Sequence, residues 1–233
     1  MDKNQVTLNK NKRNFSLSAL LFVLFLLFTE AVAMLDVQPI GPEGSEVGLA
    51  TINQKAWELF GCPHEGWYTL TQFLGLFSIL VAAGFAVLGM VQLLKRKWFK
   101  EVDIDIYILG AFYILVISLY FLFTKTTINY RPMIMDEGLE PSYPSSHTML
   151  VICVMSTAMM QAKTRIFNLK TRKACYLIGT LVMVLMIFGR MISGAHWFTD
   201  IVGAILISGA LVMLYYSAVS MAKAKQKTKS QKN

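Results

Sequence analysis

The chain has 233 residues, 55% of them hydrophobic and 15% charged, with a formal net charge of +8. The apolar residues lie in blocks close to the ~20 residues needed to cross a bilayer, which excludes a soluble core carrying a single anchor. The basic residues are segregated between those blocks, so the charge reads as membrane topology and excludes nucleic acid as a partner.

A basic start, with Lys10, Lys12 and Arg13, precedes a first apolar block near residues 18–35. Ala31-Val32-Ala33 resembles a signal-peptidase site, but the block is nearly long enough to span, so a retained helix is expected. The loop 36–67 is polar and rich in turn formers (Pro39, Gly41, Pro42, Gly44). Within it, Ile52, Trp57, Leu59 and Phe60 suit either a short interfacial helix or a loop packed on its own helices. A second span is expected near 70–94, ending at Lys95-Arg96-Lys97, and a third near 106–123.

After a loop over 124–146, a fourth apolar stretch begins at His147 and fades by Ala162. Its sixteen or so residues reach ~24 Å at 1.5 Å per residue, short of a ~30 Å hydrocarbon layer. His147 is therefore expected slightly below the membrane surface. The fifth span is expected near 174–191 and the sixth near 198–222, followed by a lysine-rich tail expected to be disordered. Cys153 and Cys175 fall in apolar blocks and Cys62 is alone in a loop, so neither an internal disulfide framework nor a metal-ligand spacing is present.

Four basic residues precede the first span, four lie between the second and third, five between the fourth and fifth, and five in the tail. These eighteen of the 22 fall on one side if there are six spans. The positive-inside rule then puts both termini in the cytoplasm. The three histidines, His64, His147 and His196, fall on the other side, with Arg131 and, at the outer ends of the last two spans, Arg190 and Asp200. Ionisable groups at membrane depth are costly and are functional candidates.

His196 and Asp200 are four apart and share a helix face. A carboxylate on one imidazole nitrogen sets the tautomer and leaves the other nitrogen free to attack. Arg190 offers a planar fork suited to phosphate oxygens. Pro144-Ser145-Ser146-His147 opens the fourth span, and a helix start presents unpaired N–H groups to an anion. His147 in its first turn is positioned to donate a proton to a departing oxygen.

Together these residues resemble the type 2 phosphatidic acid phosphatase (PAP2) superfamily. Its three motifs are Lys-x6-Arg-Pro, Pro-Ser-Gly-His and Ser-Arg-x5-His-x3-Asp. Here they match Arg131-Pro132, Pro144-Ser145-Ser146-His147, and Gly189-Arg190 followed by His196 and Asp200. The resemblance implies that His196 forms a phosphohistidine, that Asp200 orients it, and that His147 protonates the leaving oxygen and then activates water. It also implies that Arg131, Arg190, Ser145 and Ser146 hold the phosphate, without metal or other cofactor.

Three departures stand out. Thr124 takes the usual lysine slot, leaving Lys125 one residue out of register as a weaker phosphate ligand; Ser146 replaces glycine; Gly189 replaces serine.

The bland readings are kept where no motif argues otherwise. His64 reads as loop structure, Tyr130 and Tyr143 as interfacial aromatics, and Asp136, Glu137 and Glu140 as a solvated loop.

The expected fold is all-α. It is a six-transmembrane-helix bundle of the PAP2/haloperoxidase kind, with a short extracytoplasmic subdomain between the first two helices. The expected organisation is a cytoplasmic segment 1–17, one membrane domain 18–222 and a basic cytoplasmic tail 223–233. The expected function is hydrolysis of a lipid phosphate or pyrophosphate at the outer face of the cell membrane. The alternatives are a phosphotransferase of the same superfamily and, less favoured, a non-enzymatic transporter, for which no inverted repeat or broken helix pair is visible. The partners are the lipid substrate and the bilayer; oligomeric state is left open.

Overall fold

The computed structural model describes residues 3–60, 63–96, 101–134 and 138–230. Cys62, Lys97, Lys100, Asp136, Glu137 and Lys232, which entered the sequence reading, lie outside them. The described residues form α1 (Lys3–Met34), α2 (Ala50–Phe60), α3 (Glu65–Arg96), α4 (Ile104–Lys125), α5 (Ser146–Arg165), α6 (Leu169–Ile192) and α7 (Phe198–Ser230), with a short 3-10 turn at Pro42–Gly44.

Five helices are long and apolar enough to cross a membrane: α1 over Asn11–Met34, α3, α4, α6, and α7 over Phe198–Lys227. The protein is a multi-pass membrane protein. The fourth expected span, α5, is not among the five. It packs against α3, α4, α6 and α7 at once and buries ten side chains, Thr148, Thr157 and Gln161 among them. A helix whose surroundings are protein rather than lipid has less need of unbroken hydrophobicity. The peripheral helices show the converse. Only 11% of the most apolar window of α3 is buried inside the protein. Phe73, Leu80 and Val87 on α3 and Leu177 and Leu181 on α6 stand exposed, as a lipid-facing surface requires.

α1 is packed along α7. The Ser18 hydroxyl donates to the Ala210 carbonyl at 2.8 Å, and Phe25 and Val32 are buried. The Ala31-Val32-Ala33 stretch thus lies within a continuous, packed helix. Two boundaries differ from expectation: helix begins at Lys3, and α7 continues through the lysine-rich segment to Ser230 where disorder was expected. α2 forms inside the polar loop. It buries Asn53, leaves Ile52 and Leu59 exposed, and sets Trp57 5.6 Å from Trp197.

The two ends of the bundle carry different charge arrangements. At the end formed by the C-termini of α3 and α5, Arg165 reaches Asp103 at 2.8 Å and Asp105 at 2.7 Å. Asp105 also takes Lys223 of α7 at 2.8 Å, and Asp103 takes Arg96 at 2.9 Å and Gln92 at 2.9 Å. These contacts tie α3, α4, α5 and α7 together. At the opposite end, the N-termini of α5 and α7 and the C-terminus of α6 converge on the residues singled out by their motifs.

Candidate active site

The third-motif residues come from the turn between α6 and α7. Asp200 sits in the first turn of α7 and is fully buried. Its Oδ2 accepts the Trp197 backbone N–H at 2.9 Å and lies 3.3 Å from His196 Nδ1. With the carboxylate as acceptor, Nδ1 carries the proton and Nε2 keeps its lone pair. His196 is 3% exposed and its Nε2 has no hydrogen-bond partner. Burial first, then the neighbouring guanidiniums of Arg131 and Arg190, hold this imidazole well below its ordinary pKa.

The second motif opens α5. Ser145 precedes the helix, but its hydroxyl pairs with the Thr148 hydroxyl at 2.9 Å and does not cap the backbone. The first-turn N–H groups therefore receive no side-chain cap, the situation in which a helix start attracts an anion. The Ser145 N–H donates to the Asp200 carbonyl at 3.1 Å, which locks the starts of α5 and α7 together. His147 packs edge-on to Tyr120 at 5.6 Å, and its Nδ1 is buried without a partner.

Tyr143, expected to be an interfacial aromatic, is instead fully buried. It stacks on Phe25 at 6.3 Å and shares a 2.9 Å hydrogen bond with Thr29 of α1. A Cβ at Gly203 would come within 2.7 Å of the Tyr143 ring, so α7 has a glycine where this tyrosine crosses it.

A cavity of about 420 Å³ opens beside these elements, lined among others by Arg131, Ser146, His196, Thr124 and Glu140. Of the expected site residues, Arg131, Ser146 and His196 line it directly. Ser145, His147, Arg190 and Asp200 are not among its lining residues, and neither is any residue of 36–67. Lys125 is exposed on the last turn of α4, and it is Thr124 that faces the cavity. Among the described residues, no group of three or more His, Cys, Asp or Glu side chains is arranged to hold a metal ion.

Residues 121–224 match the family model described as the PAP2 superfamily. The matched stretch, less than half of the chain, contains Arg131 and the residues of the second and third motifs. No curated protein matches it in sequence. It is similar in fold to a protein described as the first transmembrane PAP2 type phosphatidylglycerolphosphate phosphatase, from Bacillus subtilis. The TM-score is 0.57 at 17% identity, over 86% of this chain and 94% of that one.

The region around the motifs carries features that the motifs alone did not reveal. Gly189, in the slot where the family has serine, is where α3 crosses α6. A Cβ there would meet Thr71 at 2.6 Å and Trp67 at 3.2 Å, so a serine has no room. Thr71 supplies a hydroxyl from the other side of that contact, 3.4 Å from Arg190 Nη1, and the Tyr68 ring lies 5.4 Å from the guanidinium carbon. Arg190 is nevertheless left with Nε and Nη2 unpartnered at zero exposure. Buried charged donors without partners are expensive.

Glu140 corrects the solvated-loop reading. It lines the cavity, with Oε2 2.9 Å from Arg131 Nε. The signal for Thr71 and Glu140 was absent from the sequence because both contacts depend on how distant segments cross.

Proposed function

We propose that this PAP2-type phosphatase hydrolyses phosphate from a membrane lipid at the extracytoplasmic face, through a phosphohistidine on His196. The observation that carries this reading is the His196 imidazole. It is tethered through Nδ1 to Asp200, its Nε2 has no hydrogen-bond partner, and the residue lines a cavity that also holds Arg131.

Nε2 attacks phosphorus, the ester P–O bond breaks, and His147 gives a proton to the departing alcohol oxygen. His147 then takes a proton from water, whose oxygen attacks phosphorus. The P–N bond breaks and inorganic phosphate leaves. Arg131, Arg190 and the uncapped N–H groups at Ser146 hold the phosphoryl oxygens, and Ser145 fixes the start of α5 to Asp200. Lys125, exposed on the last turn of α4 next to the lining residue Thr124, is a weaker contributor.

The topology follows the same reading. α1, α3, α4, α5, α6 and α7 form six spans, with both termini and the lysine-rich segment cytoplasmic and α2 at the outer interface. A buried α5 supports counting it as a span despite its composition.

The test is phosphate release by the detergent-solubilised full chain from a panel of lipid phosphates and pyrophosphates, with a soluble sugar phosphate as control. Release from lipid substrates but not from the control is expected. Release from the sugar phosphate alone would remove the lipid assignment.

A further inference from the structure

The Arg131–Glu140 pair is fixed by the backbone. The Arg131 N–H donates to the Glu140 carbonyl at 3.0 Å, and Tyr130 pairs with Pro141 as an antiparallel bridge. The two side chains are therefore held next to each other on the wall that contains His196. The Nε–Oε2 separation of 2.9 Å makes an ion pair without hydrogen-bond alignment, so the Nε–H remains unspent. Arg131 is 11% exposed at its side chain and Glu140 30%, so both face a partly desolvated space.

A phosphate entering this cavity attracts the Arg131 guanidinium and repels the Glu140 carboxylate. Among the lining residues, Arg131 and His196 are the only groups that can be cationic. Both are claimed by the phosphoryl group, one as ligand and one as nucleophile. Glu140 is then left without the guanidinium it faced, among lining residues that offer no other cation, and its partly desolvated carboxylate is best met by a donor on the substrate.

Resting on the phosphate-cleaving reading above, we propose that Glu140 is a specificity residue that accepts a hydrogen bond from a hydroxyl or ammonium on the leaving alcohol, close to the scissile ester. The substrate class is thereby narrowed to lipid phosphates whose alcohol carries such a donor, against plain prenyl or diacylglycerol phosphates.

The experiment uses a matched pair of probes: 1-acyl-2-hydroxyglycerol 3-phosphate and its 2-O-methyl ether. They share tail and phosphate and differ in one donor. For the full chain, kcat/KM is expected to favour the hydroxyl probe by roughly tenfold or more, the scale of a hydrogen bond to a charged group. Glu140→Ala is expected to bring the ratio to about one. Glu140→Gln, which keeps an acceptor and the side-chain volume, is expected to retain part of the preference and serves if the alanine variant fails to fold.

Equal kcat/KM for the two probes in the unaltered protein overturns the proposal. So does an equal loss on both probes in Glu140→Ala, the outcome if Glu140 only steadies Arg131. No release from either probe or from any other lipid phosphate would instead remove the lipid-phosphatase reading, and the proposal with it.

Discussion

The two ends of this helical bundle use charge in opposite ways. At one end Asp103, Asp105, Arg96, Arg165 and Lys223 are mutually paired at 2.7–2.9 Å. At the other, Arg190, His147 and His196 each hold a buried polar side-chain atom that has no partner. Paired charges hold helices in register. Unpaired ones raise the energy of the folded protein, and a phosphate is the natural group to relieve them. Partner satisfaction separates the stabilising cluster from the proposed site, although both are built from Arg and Asp.

The largest expected effect lies at the unsatisfied end. His196→Ala should lower phosphate release by at least about 10³-fold, since on the proposed mechanism it removes the attacking atom. Its thermal midpoint in detergent should be unchanged or higher, because the side chain removed carried an unpaired polar atom. A variant that lost stability along with activity would break the contrast between the two ends.

Asp105→Asn tests the satisfied end. Its side chain is 6% exposed and faces both Arg165 and Lys223. Neutralising it leaves two cations without their shared anion, at a cost of about 2–4 kcal/mol. The thermal midpoint should fall while kcat of the folded fraction stays near that of the unaltered protein.

Tyr143→Phe sharpens the boundary between the classes, because this buried hydroxyl is hydrogen-bonded and adjoins the start of α5. Loss of its bond to Thr29 should cost about 1 kcal/mol and reduce activity by less than tenfold. A stability assay and a rate assay on the same preparation separate the two.

The smallest effect is a pH dependence. The Asp103 carboxyl is held down to about 2, first by its hydrogen bond to Arg165 and further by Arg96 and Gln92. Its folded-state pKa lies below the ordinary 3.8, so its contribution is present above pH ~4 and lost as pH falls through about 2. Asp103 is 34% exposed, and solvent screening reduces that contribution to about 1 kcal/mol. The stability gap between the unaltered protein and Asp103→Asn should therefore be constant from pH 7 to 5 and narrow below pH 4.

Much of the site could be read from the chain. Local spacing placed His196 beside Asp200, and the basic residues Arg96 and Arg165 gather at the bundle end away from them. Composition failed at α5, because apolarity reports lipid contact and α5 is enclosed by four helices. It failed again at Glu140 and Thr71. The first depends on a backbone bridge across a loop, and the second on two helices touching between residues 119 positions apart. Contacts of that kind have no periodicity to betray them.

The most direct measurement is to mix the protein with a lipid substrate labelled in its phosphate, quench in alkali within the first turnover, and map the label by peptide mass spectrometry. An acid-labile, alkali-stable phosphoryl group on residue 196 is the predicted result. Label on another residue, or full turnover by His196→Ala, would contradict it.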